Sequence, residues 1–170
     1  ELNQEIKIYE KILKQSDFEA HIAPHTLKVT SMFSVLSRLK QSQKCDILTK
    51  MKIYNGEDVI EKGRVKKIDI KDLRDEARNE GMSGISTRFI MKAVDSALTD
   101  SDRNMITPIS VMETLIKQVK EQVVNDEFRD ICLELLQKVV REEYLKILEN
   151  EIAKAFVTAY EEQAQSLFDT

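Results

Sequence analysis

The amino-acid sequence predicts an all-α fold, and three observations point to it. Hydrophobic residues recur at helical spacing over most of the 170 residues. The composition, with 42% hydrophobic and 33% charged residues, is typical of a globular, helix-rich chain. Glycine and proline are absent from residues 109–170, so neither residue type breaks a helix in that stretch. We therefore expect a helical bundle followed by further amphipathic helices.

Two amphipathic helices are predicted at the start of the chain. The first is indicated by an apolar stripe of Leu2, Ile6, Tyr9 and Leu13. The second follows Pro24-His25-Thr26 and is indicated by Leu27, Met32, Phe33, Leu36 and Leu39. Threonine side chains accept hydrogen bonds from the first free N–H groups of a helix, so we expect Thr26 to be its N-cap.

The pattern changes between residues 43 and 70. Asn55-Gly56 and Gly63 are turn signals, and they lie between short runs that contain β-branched residues. This segment is predicted to be an insertion that holds either a short β-hairpin within residues 50–70 or irregular structure.

A charged helix and a glycine-rich turn are predicted next. Residues 72–80 have helical spacing of charges, and Gly81 is suited to close that helix in the left-handed conformation. Gly84 then permits a sharp reversal of the backbone. The loop leads to Ser86, which we expect to be the N-cap of a helix whose apolar residues are Phe89, Ile90, Ala93, Val94, Ala97 and Leu98.

Helices are also predicted for the rest of the chain, after a polar loop at residues 99–104. Thr107 is an expected N-cap, and Pro108 suits the first helical position because its missing N–H would be unpaired there anyway. Three apolar stripes follow between residues 109 and 170. We expect three helices, of which two run together.

Charge, hydropathy and cysteine content exclude several classes of function. The net charge of −4 argues against a general nucleic-acid binder, which needs a basic face. No run of about 18 apolar residues is present, so we expect no membrane span. Cys45 and Cys132 lack CxxC spacing and are expected to be reduced thiols of a cytoplasmic protein.

Metal-binding and catalytic sites are not predicted from the residue pattern. His21 and His25 have the spacing of two ligands on a helix, but Pro24 lies between them and no further ligand is close in sequence. The acidic residues between 72 and 80 alternate with basic residues, which is typical of a solvated helix face. We therefore assign no metal ligand and no catalytic residue.

Arg88 is the candidate binding residue. With Ser86 as N-cap, it is the second residue of its helix, where the helix dipole disfavours a cation by up to about 1 kcal/mol. An arginine beside free backbone N–H groups and a glycine-rich turn is well suited to an anion such as phosphate. The alternative is a solvated surface arginine without a ligand.

Two resemblances favour the phosphate. GISTRFIMKAVDSAL resembles the sensor-2 segment of AAA+ ATPases, in which an arginine opens a lid helix and reaches the γ-phosphate of the nucleotide. The segments HIAPHTLKVTSMFSVLSRLK, KMKIYNGEDV, DEARNEGMSGISTRF, TPISVMETL and AFVTAYEEQAQSLFD are similar, in this order, to segments of the PrkA family of bacterial serine protein kinases. That family is expected to have an AAA+ module with a P-loop, a C-terminal domain, and roles in stress response and sporulation.

The resemblance implies a division of the chain and a ligand. Residues 1–105 would be an AAA+ lid-like subdomain with an insertion at about 43–70, and residues 106–170 would begin the C-terminal helical domain. Arg88, with Ser86 and Thr87, would contact ATP. ATP and Mg²⁺ would be bound in a longer protein, with an N-terminal P-loop module as the partner of this chain, and a homo-oligomer is open.

We expect the chain alone to have no catalytic activity. It contains no G-x-x-x-x-G-K-[ST] P-loop and no glycine-rich kinase loop, H-R-D or D-F-G motif. The longer protein could act as a kinase or as an ATP-driven remodeller. A second hypothesis is a non-enzymatic helical interaction module, which an exposed apolar stripe within 109–170 and a buried or salt-bridged Arg88 would favour.

Overall fold

Helices form most of the chain, as expected for an all-α protein. The computed structural model describes residues 1–15, 20–61, 64–65, 68–99 and 105–168, with only the backbone of residues 60–61, 64–65 and 161–168. The α-helices are α1 (Leu2–Gln15), α2 (Thr26–Leu36), α3 (Ile47–Tyr54), α4 (Ile70–Glu76), α5 (Thr87–Thr99), α6 (Pro108–Gln122), α7 (Asp126–Glu134) and α8 (Arg141–Phe168). A π-helix, Leu135–Val140, joins α7 to α8. The predicted fold class is confirmed.

Four two-residue strands accompany the helices in the part of the chain that the structure describes. Strands β2 (Ile60–Glu61) and β3 (Arg64–Val65) form an antiparallel hairpin, so a hairpin lies within residues 50–70. Strands β1 (His21–Ile22) and β4 (Met105–Ile106) pair in parallel, which the sequence did not predict. A pair of two-residue strands is too short to leave a periodic pattern.

Helix α2 is the central element of the fold. Every residue from Val29 to Leu36 is buried, and the helix packs against α1, α3, α5, α6 and the π-helix. One hydrophobic core extends from α1 to the first turn of α8 and includes Phe33, Ile90 and Leu115. Two of its buried hydroxyls form hydrogen bonds in different ways: Thr30 Oγ1 donates to the Thr26 carbonyl within the helix at 2.7 Å, and Ser34 Oγ donates to Glu5 of α1 at 2.9 Å.

The α2 N-terminus differs from the prediction. His25, not Thr26, is the N-cap residue, and it adopts the left-handed conformation with φ 64°. Thr26 is the first helical residue, and its hydroxyl donates to the Ala23 carbonyl at 2.7 Å instead of accepting from the helix. The expected cap was wrong because the threonine hydroxyl closes the preceding turn.

The segment from 43 to 80 differs from the prediction at both ends. It contains an additional helix near its start, and its last helix ends earlier than predicted. Residues 47–54 form α3, with Asp46 as N-cap accepting from the Thr49 N–H at 2.9 Å. Helix α4 ends at Glu76, and Gly81 is therefore not its closing residue. Gly81 has the expected positive φ of 85°, but it lies in a separate turn, where its N–H donates to the Arg38 carbonyl.

The C-terminal helices agree with the prediction. Thr107 caps α6 in a capping box with Ser110, and Pro108 occupies the first turn. Within residues 108–168, three α-helices follow, and α7 and α8 run together through the π-helix, as predicted for two of the three. Residues 100–104 of the predicted polar loop lie outside the described residues.

Exposure along α8 rises toward its C-terminal half. All residues from 149 to 160 are exposed, among them the large apolar side chains of Ile152, Phe156, Val157 and Tyr160.

No helix within the described ranges is long and apolar enough to cross a membrane. Cys45 and Cys132 are buried and form no disulfide, and burial raises the pKa of the Cys132 thiol to about 12.

Candidate functional site

The first turn of α5 carries the candidate site. Ser86 accepts a hydrogen bond from the Phe89 N–H at 3.3 Å, as the predicted N-cap. Arg88 is the second residue of the helix and is exposed, and no described residue forms a hydrogen bond or ion pair with it. Ser86 is exposed and Thr87 is half-buried. The three predicted site residues therefore share one helical turn.

The loop before α5 is built around a close backbone contact. Gly84 has φ 122°, a conformation that residues with a Cβ rarely adopt. A Cβ atom at this position would lie 2.7 Å from Arg38 Cγ and 2.7 Å from the Ser37 carbonyl oxygen. Glycine is therefore required both by the backbone conformation and by the proximity of the α2 C-terminus.

Arg38 joins this loop to α1. Its guanidinium binds the Glu5 carboxylate through two nitrogens, at 3.1 and 3.0 Å. The same group donates from Nε and Nη2 to the Ile85 carbonyl oxygen, at 3.1 and 3.0 Å. Ser37 Oγ accepts from the Ile85 N–H at 3.0 Å. Ser37 and Arg38, the two residues that follow α2, thus bind the N–H and the carbonyl oxygen of Ile85.

Glu5 is the buried anion of this network. Its carboxylate also accepts hydrogen bonds from the Tyr9 hydroxyl at 2.6 Å and the Ser34 hydroxyl at 2.9 Å. Burial alone would raise the pKa of Glu5, but the hydrogen bonds from Tyr9, Arg38 and Ser34 outweigh it and lower the pKa below 4.5. The same burial, with the bond to Glu5, raises the pKa of Tyr9. Glu5 is therefore ionised at neutral pH.

A second buried ion pair holds the other end of the loop. Lys50 is fully buried, and its ammonium group lies 2.6 Å from Glu80 and 3.0 Å from the Lys40 carbonyl oxygen. Glu80 also accepts from the Lys40 N–H at 2.6 Å and from the Tyr54 hydroxyl at 2.9 Å. Burial and the bond to Glu80 raise the pKa of the Tyr54 hydroxyl. Residue 80 is thus fixed against α3 and the end of α2.

A cleft of about 440 Å³ opens between these two ion pairs. Both Glu5 and Glu80 line it, together with the exposed side chains of Arg74 and Arg78. The solvated face predicted for residues 72–80 agrees with the exposure of these two arginines. Arg88 is not among the residues that line the cleft.

The histidines take no part in a described ligand cluster. His21 is exposed on β1, and His25 is half-buried at the start of α2. Within residues 1–15, 20–61, 64–65, 68–99 and 105–168, no group of three or more His, Cys, Asp or Glu residues is placed to hold a metal ion.

Family comparisons identify the chain's relatives. The family model described as the PrkA serine protein kinase C-terminal domain matches residues 48–170, which is most of the chain. The chain belongs to the PrkA family. A second model, the PrkA AAA domain, matches residues 1–46. The resemblance to the PrkA family that the sequence motifs suggested is therefore confirmed, and the resemblance to a sensor-2 segment stays a prediction.

Two relatives within the PrkA family show how much of a longer protein is present. The chain is 37% identical over 172 residues to the ATP-dependent protease PrkA of Bacillus subtilis (strain 168), covering 99% of this chain and 27% of that protein. It is 34% identical over 171 residues to the serine/threonine kinase YeaG of Escherichia coli (strain K12), covering 99% of this chain and 26% of that protein. The chain thus spans 26–27% of the length of these relatives. No solved structure shows a significant match.

The candidate site and the network around it contain residues from both PrkA family matches. Glu5, Ser37 and Arg38 lie in the part that matches the AAA domain, and Ile85 and Arg88 lie in the part that matches the C-terminal domain. The predicted division at residues 105 and 106 stays a prediction.

Sequence reasoning missed the buried ion pairs that surround the loop. Glu5 lies four residues before Tyr9, on the apolar face of α1, and Lys50 lies beside Met51 in α3. A charged residue at a core position of an amphipathic helix was the available signal, because such a residue is buried only when it is paired.

Proposed function

We propose that this chain is the nucleotide-sensing lid and coupling segment of a PrkA-type, ATP-dependent enzyme. Arg88 would contact the γ-phosphate of ATP held by a P-loop module elsewhere in the longer protein. The observation that supports this most is Arg88 itself: an exposed cation without a described partner, at a helix position where the dipole disfavours it. Such a residue adds little to folding, and its guanidinium is accessible to a ligand.

The residues present fit an anionic phosphate. The guanidinium of Arg88 offers a planar fork for two phosphate oxygens, and the first N–H groups of α5 add the positive end of the helix dipole. Ser86 uses its hydroxyl oxygen as the helix cap, which keeps this turn in place. Mg²⁺, which would neutralise the phosphate charge, is assigned to the P-loop module, since no described residue cluster of this chain suits it.

Coupling to the C-terminal helices would run through α6. Helix α5 packs along α6, and the buried Gln118 amide donates to the Phe89 carbonyl at 2.9 Å, one residue after Arg88. A shift of the first turn of α5 on phosphate binding would therefore move a hydrogen bond to α6. The relatives' names, an ATP-dependent protease and a kinase, both fit an enzyme that reads the state of ATP.

Substitution of Arg88 in a full-length PrkA-type protein that contains this chain tests the proposal. Arg88→Ala is expected to lower ATP turnover about tenfold or more, because a charge-assisted bond to phosphate contributes about 1.5–3 kcal/mol. Nucleotide affinity should change less, since a P-loop supplies most phosphate contacts. Arg88→Lys should restore only part of the turnover, because a point charge lacks the planar fork.

Lys92→Ala is the matched control. Lys92 is an exposed cation one turn along the same helix, and its removal should leave turnover unchanged. The stability of the Arg88→Ala protein should stay within about 0.5 kcal/mol of wild type. Unchanged turnover in Arg88→Ala, or an equal loss in Lys92→Ala, would remove the sensor role.

The interaction-module hypothesis keeps one observation in its favour. The exposed apolar side chains of α8, including Phe156 and Tyr160, form the kind of surface that contacts another protein. Arg88, however, is neither buried nor paired with a described residue, contrary to what this hypothesis favours. It predicts that a Phe156→Ser, Tyr160→Ser protein loses a partner or self-association while Arg88→Ala has no effect.

A further inference from the structure

The end of α2 determines where α5 begins. We infer that Arg38 is the positioning residue for Arg88, an inference that rests on the proposed function: its guanidinium, locked by Glu5, holds the Ile85 carbonyl and thereby aims the first turn of α5. Arg38 does not reach the phosphate in this role. It acts through the loop, and Arg88 makes the contact.

The contact lies directly beside the helix cap. Ile85 precedes the N-cap Ser86, so the plane of the peptide that joins them sets the direction in which α5 leaves the loop. Arg38 binds this peptide's carbonyl oxygen through two nitrogens, and Ser37 binds the N–H of the same residue. With both backbone groups of Ile85 held, rotation of the loop about this residue is prevented.

Arg38 is itself held in one orientation. Its outer nitrogens bind both oxygens of Glu5, and Ser34 Oγ accepts from Nη2 at 2.9 Å. Glu5 is fixed in turn by Tyr9, which is fully buried. Such a support shell keeps a functional side chain within a fraction of an ångström of its working position. A lysine at position 38 could keep the charge but could not bind Glu5 and the Ile85 carbonyl as a fork.

Gly84 restricts the position of the same loop through a close contact with the residues that follow α2. Its backbone lies against Arg38 Cγ and the Ser37 carbonyl, with no space for a Cβ. The loop therefore cannot shift toward α2, and the Arg38 hydrogen bonds prevent it from moving away. Arg38 and Arg88 lie in parts that match different PrkA domains. Through the contact between Arg38 and Ile85, the orientation of the part that matches the AAA domain would therefore set the orientation of Arg88.

Two substitutions, made in a full-length PrkA-type protein that contains this chain, disturb the contact between Arg38 and the loop before α5 in different ways. Arg38→Lys removes the fork, and Gly84→Ala inserts a methyl group against Arg38. Gly56→Ala is the matched control: Gly56 also has a positive φ, of 78°, but a Cβ there meets nothing within 4 Å. We expect Arg38→Lys and Gly84→Ala to lower the ATP turnover number about tenfold to a hundredfold, because an ångström of misplacement costs that much. Gly56→Ala should leave it unchanged.

A double substitution separates positioning from general damage. If Arg38 acts only by aiming Arg88, Arg38→Lys should cause no further loss of turnover in an Arg88→Ala background. A merely structural defect would lower turnover in both backgrounds. Amide hydrogen exchange gives a readout that is independent of activity: the Ile85 N–H should exchange faster in Arg38→Lys and Gly84→Ala, while the Val111 N–H in α6 should not.

The outcomes distinguish this inference from the proposed function. Loss of turnover in Arg88→Ala, with losses for Arg38→Lys that vanish in the Arg88→Ala background, supports both. The positioning role is overturned if Arg88→Ala lowers turnover but Arg38→Lys does not. It is also overturned if the losses of turnover from the two substitutions multiply in the double variant. Both outcomes leave the sensor role of Arg88 in place. A silent Arg88→Ala overturns the sensor and the positioning role together.

Discussion

Glu5 is a charged residue on the apolar face of a helix, and its environment explains why it stays ionised there. Removing a carboxylate from water is costly, and the attraction to a single cation often fails to offset it. Glu5 receives hydrogen bonds from Tyr9, Ser34 and both outer nitrogens of Arg38. The group of donors is large enough to lower its pKa despite burial. Such a network fixes geometry more than it adds stability.

The lowered pKa of Glu5 predicts an acid-dependent loss of stability. A carboxylate whose pKa is lower in the folded state stabilises fully above its ordinary value of 4.5, and this contribution is lost as the pH falls through the folded pKa. Glu5→Gln should therefore cost about 2 kcal/mol near neutral pH, the scale of hydrogen bonds to a charged group. The difference between wild type and Glu5→Gln should shrink below pH 4.5. Urea unfolding at several pH values measures it.

Glu149→Gln is the control for this measurement. Glu149 is exposed on α8, so its substitution does not disturb a buried hydrogen-bond network, and stability should change by less than about 0.5 kcal/mol at each pH. A Glu5→Gln difference that stays constant, or grows, below pH 4.5 would contradict the assignment.

The site residues differ in how far sequence alone could reveal them. Arg88 was selected as the candidate because a cation at the second position of a helix contradicts a local rule, and a local rule can be read from neighbouring residues; its role stays a prediction. Arg38 was missed because its partners lie 33 and 47 residues away, at Glu5 and Ile85. No local pattern records a contact at that separation.

Elements were predicted where caps and periodicity agree. Helix α6 has Thr107, Pro108 and a regular apolar face, and its start was predicted to the residue. Helix α3 was missed because it has only eight residues and ends beside Asn55-Gly56, which also signals a hairpin. Helix α4 was predicted too long, because charge spacing continues to Glu80 although the backbone turns after Glu76 to meet α3.

The capping box of α6 provides a test at the level of one element. The Thr107 hydroxyl accepts from the Ser110 N–H at 3.1 Å, and Ser110 Oγ accepts from the Thr107 N–H at 3.0 Å. Thr107→Ala should lower the free energy of unfolding by about 1 kcal/mol, which corresponds to about 2–4 °C in Tm for a chain of this size.

Thr107→Asp distinguishes the cap from other effects of the substitution. Aspartate can accept the same hydrogen bond and favours the positive helix end, so it should restore most of the loss. Equal losses for the alanine and aspartate proteins in thermal unfolding would mean that Thr107 contributes through packing instead of capping.

The whole molecule shares one large core across the two family matches. Residues of α1 and α2, which match the AAA domain, pack in the same cluster as residues of α5, α6 and the π-helix, which match the C-terminal domain. A smaller cluster of Cys45, Ile53 and Leu73 lies between α3 and α4. Cooperative unfolding of the larger unit is expected, since its helices cannot lose contact singly without exposing the others.

Deleting residues 1–47 should therefore abolish folding of the remainder. The deletion removes Tyr9, Met32, Phe33 and Leu36, all fully buried, and each such side chain contributes about 1.5–3 kcal/mol. Together with the rest of α1 and α2, this is comparable to the 5–15 kcal/mol stability of a typical domain. Circular dichroism of residues 48–170 should show little fixed tertiary structure and no cooperative melt.

A chain that ends at residue 150 is the matched control. It lacks residues 151–170, of which 151–160 are exposed, so the truncation should leave the cooperative melt in place. A cooperative transition of residues 48–170 alone, similar to that of the full chain, would show that the C-terminal match has a sufficient core of its own.

The parallel pair β1–β4 has a consequence for the order of folding. It brings His21 to Met105, and the Thr26 hydroxyl reaches the Ile106 carbonyl across a separation of 80 residues. Closing so long a loop costs entropy that neighbouring helix pairs such as α1–α2 and α5–α6 do not incur. These pairs should form early in refolding, with the β1–β4 hydrogen bonds among the last. The strand pair thus joins two preassembled helical units and completes the native topology late in refolding.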